Sequence, residues 1–274
     1  MPLTKHKDML DELYLRYNRR AYVHPDPVEF LYRYDDGADR EVAALVASSL
    51  AYGRVAQILR SVQAVLAVLG DRPAQRLAAM KPASLDRALA GFKHRFATGS
   101  EMAALLISAR RQIVEFGSLQ ACFLAGLGAD DETVLPALTK FAARLRAGGS
   151  RHGLAPIAHL LSDPARGSAC KRLNLMLRWL VRRDKVDLGD WHRVPAAKLI
   201  VPLDTHMHRL SRQMNATARR AADLRTAREI TAAFAAICPQ DPVKYDFALT
   251  RLGIHPQARR ESLPCGARDK GPCR

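Results

Sequence analysis

The sequence predicts an all-α fold, and three observations carry this prediction. Apolar residues recur at intervals of three and four along most of the chain, which is the period of one face of a helix. The alternation of apolar and polar residues that marks a half-buried strand is nearly absent. Glycine and proline interrupt the pattern at short intervals and limit the segments between them to about ten helices of ordinary length.

Two segments show the helical period most clearly, one before and one after a stretch rich in Gly and Pro. The apolar positions of the first are Val55, Ile58, Leu59, Val62, Val65, Leu66 and Leu69, and those of the second are Met102, Leu105, Leu106, Ala109, Ile113 and Phe116. Each set would form one face of an amphipathic helix, so both helices are expected to pack against a common core.

Composition narrows the class of partner. The chain has 274 residues, with 43 Lys and Arg against 27 Asp and Glu, a net charge of +16. Residues 140–220 concentrate this excess, with 17 basic residues against five Asp. An imbalance of this size favours a polyanionic partner, nucleic acid ahead of membrane, although a solvated basic face is the simpler alternative. No run of apolar residues is long enough to span a membrane, and the N-terminus has no secretory signal, so neither secretion nor membrane insertion is expected.

The cysteines predict neither a disulfide framework nor a metal site. Five are present, Cys122, Cys170, Cys238, Cys265 and Cys273, scattered along the chain. None forms the CxxC pair that is typical of zinc and iron-sulfur sites. We therefore expect a reducing cytoplasmic location and no metal or other cofactor.

Residues 152–183 predict a helix-hairpin-helix unit. A helix over 152–161, a tight connection over 162–168 that contains Pro164 and Gly167, and a second helix over 169–183 follow from the pattern of apolar residues and breakers. The second helix separates an apolar face from a face that holds four polar side chains. These are Lys171, Asn174, Arg178 and Arg182.

This unit could bind a DNA phosphate. The first backbone N–H groups of the second helix, near Gly167 and Ser168, have no partner within the helix, and the helix dipole favours an anion there. Arg172, Arg178 and Arg182 would add positive charge along the helix. The alternative is an ordinary turn followed by a surface lysine.

A second short segment, Val201-Pro-Leu-Asp-Thr-His-Met-His-Arg-Leu-Ser-Arg, carries Asp204 at a helix start. Pro202 before it and the helical spacing of apolar residues after it indicate a helix that begins at Asp204, with this residue as the N-cap. On a strand Asp204, His206 and His208 could share a metal ion. On a helix His206 points away from Asp204, so a metal site is disfavoured.

These residues resemble the helix-hairpin-helix DNA glycosylase superfamily, which includes endonuclease III and 8-oxoguanine glycosylase. Leu203-Asp-Thr-His-Met-His-Arg-Leu is similar to the signature that carries the catalytic Asp of the superfamily, and Arg209 belongs to this match. Lys171 falls where members with lyase activity keep their Schiff-base lysine. The resemblance therefore implies that Lys171 and Asp204 are catalytic.

Two further stretches resemble the superfamily and imply residues that would contact the duplex and the flipped base. Ala47-Ser-Ser-Leu-Ala-Tyr-Gly-Arg resembles a stretch that probes the duplex, which makes Tyr52 and Arg54 wedge candidates. The region Gly91-Phe-Lys-His-Arg-Phe resembles one that lines the base pocket. A flipped base needs an aromatic or apolar sandwich. The available candidates for this sandwich are Tyr52, Phe92, His94, Phe96 and Trp179, and the base pocket is expected to consist of Phe92, His94, Arg95, Phe96 and Trp179.

Taken whole, residues 5–255 resemble the DUF2400 family. The superfamily resemblance implies two helical lobes: a barrel over residues 36–190, and a second lobe that joins residues 1–35 to residues 191–254. Residues 255–274, with three prolines and no apolar period, are expected to form a disordered tail.

The functional expectation is a DNA-repair glycosylase with AP lyase activity that removes a damaged base through Lys171 and Asp204. It would act as a monomer on damaged duplex DNA in the nucleoid. Two alternatives remain: a non-catalytic binder of damaged or structured nucleic acid on the same scaffold, or an enzyme that acts on RNA or nucleotides.

Overall fold

The computed structural model describes residues 3–150, 156–157 and 159–254. The chain is 62% helical and 2% strand, which confirms the all-α prediction. The α-helices of the described residues are α1 (Lys7–Tyr17), α2 (Gly37–Ser49), α3 (Val55–Leu69), α4 (Pro73–Ala79), α5 (Pro82–Ala88), α6 (Gly99–Phe116), α7 (Leu119–Leu124), α8 (Leu135–Ser150), α9 (Lys171–Val181), α10 (Thr205–Gln213), α11 (Leu224–Ala235) and α12 (Asp246–Ile254).

A short antiparallel hairpin interrupts the helices before α6. Its strands are β1 (Lys93–His94) and β2 (Ala97–Thr98), with His94 opposite Ala97. Thr98 and Glu101 form a reciprocal capping box at the start of α6. The hairpin and α6 are therefore joined without a flexible connection.

The core is one continuous apolar cluster that draws on nearly every helix. In its centre α6 packs against α8, and α2 packs against α9. Helix α1 packs against α12, which also contacts α10, so the N-terminal helix lies with the C-terminal helices. The division into two lobes stays a prediction. The predicted tail, residues 255–274, lies outside the described residues.

The predicted basic face of α9 is buried, which corrects the sequence interpretation. Arg178 and Arg182 are almost without solvent exposure. Arg178 contacts the carboxylates of Asp187 and Asp246 at 3.3 and 2.6 Å, and Arg182 contacts Asp187 and, at 2.9 Å, Asp241. Burial disfavours the charged form of Arg178, but the carboxylates of Asp187 and Asp246 outweigh burial and raise its pKa. Neither arginine is available to contact DNA in the folded chain.

The segment after α9 supplies part of this neutralising charge. It turns back along α9, where the N–H of Leu188 donates to the carbonyl of Trp179 at 3.1 Å. Trp191 is buried, and its indole N–H donates to Glu41 at 2.7 Å. The turn places Asp187 against α9, so α9 is enclosed on the side that the sequence predicted to be exposed.

The helix-hairpin-helix prediction is only partly correct. The second helix begins at Lys171 and ends at Val181, within the predicted range. The connection contains a 3-10 helix, Pro164–Arg166, followed by Gly167 with a φ of 77°. The predicted first helix lies partly outside the described residues, and the described positions near Ile157 form a turn instead.

Candidate active site

Lys171 and Asp204 meet, although 33 residues separate them in the sequence. Lys171 is the first residue of α9, and Asp204 directly precedes α10. Lys171 Nζ lies 3.1 Å from Asp204 Oδ2, and the two side chains are 33% and 27% exposed. The ion pair is therefore accessible from solvent while most of each side chain is covered.

Asp204 uses its two oxygens differently. Oδ1 accepts the backbone N–H of Met207 at 2.8 Å, which confirms the predicted N-cap. Oδ2 faces Lys171. Burial would raise the pKa of Asp204, but the ammonium of Lys171 and the N–H of Met207 together hold it below its ordinary value. Asp204 is thus a fixed anion beside the lysine.

The turn before Lys171 is tightly constrained. Cys170 is buried and has a φ of 47°, a left-handed conformation that residues other than glycine rarely adopt. Its backbone N–H donates to Ser168 Oγ at 3.2 Å. Residues held in such backbone conformations cluster at functional sites.

The ion pair lies on the wall of an open cleft of about 680 Å³. Segments from the α2–α3 loop, the connection before α9, and the starts of α10 and α11 meet around it. Its lining residues are Ala51, Tyr52, Gly53, Ser162, Arg166, Gly167, Ser168, Ala169, Cys170, Lys171, Arg172, Leu203, Asp204, Thr205, Ala222 and Asp223.

Arg172 lines the cleft but is occupied by internal contacts. Its guanidinium donates to the carbonyl of Ser49 at 3.0 Å and to the carbonyl of His159, and it lies over the ring of Tyr52 at 4.8 Å. Burial lowers the pKa of Arg172. The predicted phosphate contact would require Arg172 to leave these carbonyls, so its observed role is to join three segments of the cleft wall.

The backbone N–H of Gly167, predicted to bind a phosphate, already has a partner. Its N–H donates to the carbonyl of Pro164 at 3.0 Å, and its own carbonyl accepts the N–H of Leu224 at 3.0 Å. Gly167 is therefore not a free donor. Ser168 and the exposed Arg166 remain in the cleft lining.

The two wedge candidates, Tyr52 and Arg54, have different environments. Tyr52 is half-buried in the cleft wall, and its hydroxyl donates to the carbonyl of His94 at 3.0 Å. Arg54 is exposed and directly precedes α3. Only Tyr52 is among the cleft residues.

The predicted base pocket is wrong for two of its five residues, and the other three lie elsewhere. Trp179 and His94 are fully buried, because α9 is enclosed and because the ring of His94 faces the interior. Phe92 packs partly against the core, and Arg95 and Phe96 form the exposed tip of the hairpin. None of the five belongs to the described lining of the cleft.

The histidines after Asp204 point in different directions. His206 Nε2 lies 3.3 Å from the carbonyl of Leu249, and His208 Nε2 lies 3.0 Å from that of Arg219. Within the described residues, no three His, Cys, Asp or Glu side chains gather closely enough to hold a metal ion. Arg209, in contrast, is exposed on α10 and lines a shallow depression there.

Comparison with known proteins assigns the family. A sequence-family profile with the description "Protein of unknown function (DUF2400)" matches residues 26–255, most of the chain. The chain belongs to the DUF2400 family. No curated protein and no solved structure matches it significantly. The DUF2400 match includes Lys171, Asp204 and the whole described lining of the cleft.

Sequence reasoning missed three polar residues of the cleft: Ser162, Arg166 and Asp223. Arg166 stands directly before Gly167, so the predicted connection of the helix-hairpin-helix unit could have identified it as a cleft residue. Asp223 caps α11 by accepting the N–H of Thr226 at 2.9 Å. Nothing in the sequence connects the start of α11 with the turn before α9, because the bond from the N–H of Leu224 to the carbonyl of Gly167 depends on the tertiary fold. In the part of the chain that the structure describes, no helix is long and apolar enough to cross a membrane.

Proposed function

We propose that the protein is a DNA glycosylase with AP lyase activity. The observation that supports this proposal is the pairing of Lys171 Nζ with Asp204 Oδ2 at 3.1 Å on the wall of an open cleft. A primary amine beside a fixed carboxylate is the pair of groups that imine-forming cleavage of a glycosidic bond requires.

The chemistry assigns one task to each residue. Lys171 must first give up a proton, because only the neutral amine is a nucleophile. Its nitrogen then forms a bond to C1′ of the sugar while the bond from C1′ to the base breaks and its electron pair leaves with the base, which takes up a proton. Loss of the amine proton and opening of the sugar ring give an imine. Subsequent β-elimination removes a proton from C2′, forms the C2′–C3′ double bond and breaks the bond from C3′ to its phosphate oxygen, which leaves with the electron pair.

Asp204 acts through its charge. Positive charge develops on the sugar as the base leaves, and a carboxylate in a partly desolvated site stabilises it more strongly than water does. The N–H of Met207 fixes Oδ1, so the carboxylate cannot turn away during the reaction. A pKa held low keeps Asp204 anionic at neutral pH.

Exposed cations near the cleft supply a surface for the DNA backbone. Arg166 lies in the cleft lining, and Arg209 lies one turn into α10 from Asp204. Both are exposed, in contrast to Arg178 and Arg182. A DNA substrate implies a location with the nucleoid.

One observation favours a second function, the non-catalytic binder of damaged or structured nucleic acid. Tyr52 is the only aromatic residue in the described cleft lining, so the described lining does not enclose a flipped base between two rings. An enzyme that acts on RNA or nucleotides would instead bind RNA more tightly than duplex DNA at matched salt.

Borohydride trapping tests the proposal. Reduction of the imine by borohydride joins the protein covalently to a duplex that carries an abasic site, 8-oxoguanine, uracil or an oxidised pyrimidine. The wild type is expected to form the adduct, and Lys171→Ala is expected to lose it while DNA binding persists.

Lys185→Ala, which removes an exposed lysine outside the cleft, is the matched control and should trap like the wild type. Trapping that survives in Lys171→Ala would remove this lysine from the mechanism. Binding of DNA without any adduct or base release would favour the non-catalytic binder.

A further inference from the structure

The tip of the hairpin exposes an aromatic ring to solvent. Phe96 is 66% exposed, and only Leu15 and Val114 join it as exposed large apolar side chains among the described residues. It is the one aromatic residue of the three. Exposing a phenyl ring costs hydrophobic free energy, which contact with a partner would recover.

Phe96 is part of a small aromatic surface. Its ring centroid lies 5.9 Å from that of the exposed His159, with 36° between the ring planes. The guanidinium of Arg95 lies 5.6 Å from the centre of the Phe96 ring. Two neighbouring aromatic rings thus lie directly beside a positive charge.

The hairpin that carries this surface is firmly anchored. His94 Nε2 lies 3.0 Å from the carbonyl of Tyr52, and His94 Nδ1 lies 2.8 Å from Ser61 Oγ. A carbonyl oxygen only accepts, so Nε2 carries a proton and Nδ1 accepts from the hydroxyl of Ser61. The hydroxyl of Tyr52 returns a bond to the carbonyl of His94. Phe96 is therefore presented by a fixed support.

The same contacts connect the surface to the cleft. Arg172 bonds the carbonyl of His159 and lies over the ring of Tyr52, and both Arg172 and Tyr52 line the cleft. Gly53, another lining residue, leaves room for the side chain of Arg95, since a Cβ at Gly53 would lie 3.0 Å from Arg95 Cδ. The aromatic surface therefore adjoins the side of the cleft that Tyr52, Gly53 and Arg172 line.

We propose that Phe96 and His159 form a stacking surface for an unpaired nucleobase of the DNA that lies across the cleft. This inference rests on the proposed function and names the form of nucleic acid that the site prefers. Aromatic rings stack on any base that is not paired, and side chains of this kind wedge into weakened duplexes. The adjacent Arg95 suits a phosphate backbone, whereas a purely apolar protein partner would leave this charge without a counterpart.

Equilibrium binding to two matched duplexes tests the proposal. One duplex is fully paired, and the other carries a single reduced abasic site, which leaves the opposite base unpaired and cannot form an imine with Lys171. Phe96→Ala is expected to weaken binding to the abasic duplex roughly tenfold or more, and to change binding to the paired duplex much less. Phe96→Trp should retain the preference, because the larger ring also stacks.

Val114→Ala is the matched control, because it truncates an exposed apolar side chain on α6, outside the cleft lining. The proposal is overturned if Phe96→Ala binds both duplexes like the wild type, or if it weakens both equally. Trapping by wild type and Lys171→Ala reports separately on the chemistry. Loss of the abasic preference in Phe96→Ala, together with the absence of both trapping and base release, would support the stacking surface and reject the enzyme.

Discussion

Arg178 of α9 and Asp246 at the start of α12 form an ion pair in the interior, with 2.6 Å between guanidinium nitrogen and carboxylate oxygen. Asp187 approaches the same guanidinium from the segment after α9. The pair joins the helix that begins with Lys171 to the C-terminal helix. The position of Lys171 therefore depends on contacts two turns further along its own helix.

Removing the charge of Asp246 should destabilise the protein strongly. Asp246→Asn leaves the guanidinium of Arg178 buried beside a single remaining carboxylate, and breaking a buried pair in this way costs about 3 kcal/mol. Urea unfolding measures the change in the free energy of unfolding. Lys7→Gln, which opens the exposed pair with Asp11, is the control and should cost much less. Equal losses in the two variants would argue against a structural role for the buried network.

The two functions of Asp204 can be separated by substitution. Asn also accepts the N–H of Met207, so Asp204→Asn should keep most of the helix cap, whereas Asp204→Ala should cost about 1 kcal/mol more in unfolding free energy. Both variants should lose borohydride trapping on duplexes that still carry the damaged base, because both lose the carboxylate that stabilises the departure of the base. The same two substitutions at Asp36, the N-cap of α2, provide the control. They should reproduce the stability pattern without affecting trapping, and a loss of trapping there would indicate an indirect effect.

The buried imidazole of His94 should make stability depend on pH. Burial lowers the pKa of His94 below its ordinary 6.5, so the unfolded chain binds a proton at a pH where the folded chain does not. The stability that neutral His94 contributes is therefore complete above about pH 6.5 and is lost as the pH falls below this value.

A variant that cannot titrate isolates this effect. The difference in unfolding free energy between wild type and His94→Gln should shrink as the pH is lowered from about 7.5 to about 5.5. Substitution of the exposed His192 by Gln is the matched control. A difference that stays constant over this range would show that His94 is not buried in its neutral form.

The salt dependence of DNA binding should identify the cations that touch phosphates. Arg166→Ala and Arg209→Ala are each expected to reduce the slope of log affinity against log salt by about 0.9, the value for one lost phosphate contact. Arg87→Ala removes an exposed arginine on α5, outside the cleft lining, and should leave the slope unchanged. A slope that is the same in all three variants would locate the DNA elsewhere on the surface.

Local patterns in the sequence predicted the features that local interactions determine. The helical period identified α3 and α6, and Pro202 followed by Asp204 identified the cap of α10. The meeting of Lys171 with Asp204 was implied by resemblance only, because the distance between two helix starts depends on the packing of everything between them.

The burial of Arg178 and Arg182 could not be predicted from α9 alone. Helical spacing shows which residues share a face and carries no information about what that face meets. The carboxylates that neutralise it come from residues 184–187 and 241–246, which approach α9 only in the folded chain. The β-hairpin of β1 and β2 was not predicted for a different reason. Strands of two residues are too short to show the alternation of apolar and polar residues that marks a strand.

Neighbouring positions of the β-hairpin are expected to differ in how well they tolerate substitution. His94 is enclosed and bonded on both ring nitrogens, whereas Arg95 and Phe96 face solvent and fill no interior space. Changes at Phe96 are expected to cost little folding stability, whereas changes at His94 are expected to lower it. In related chains we therefore expect the tip to diversify most freely, so that substrate preference could evolve there while the Lys171–Asp204 pair stays as it is.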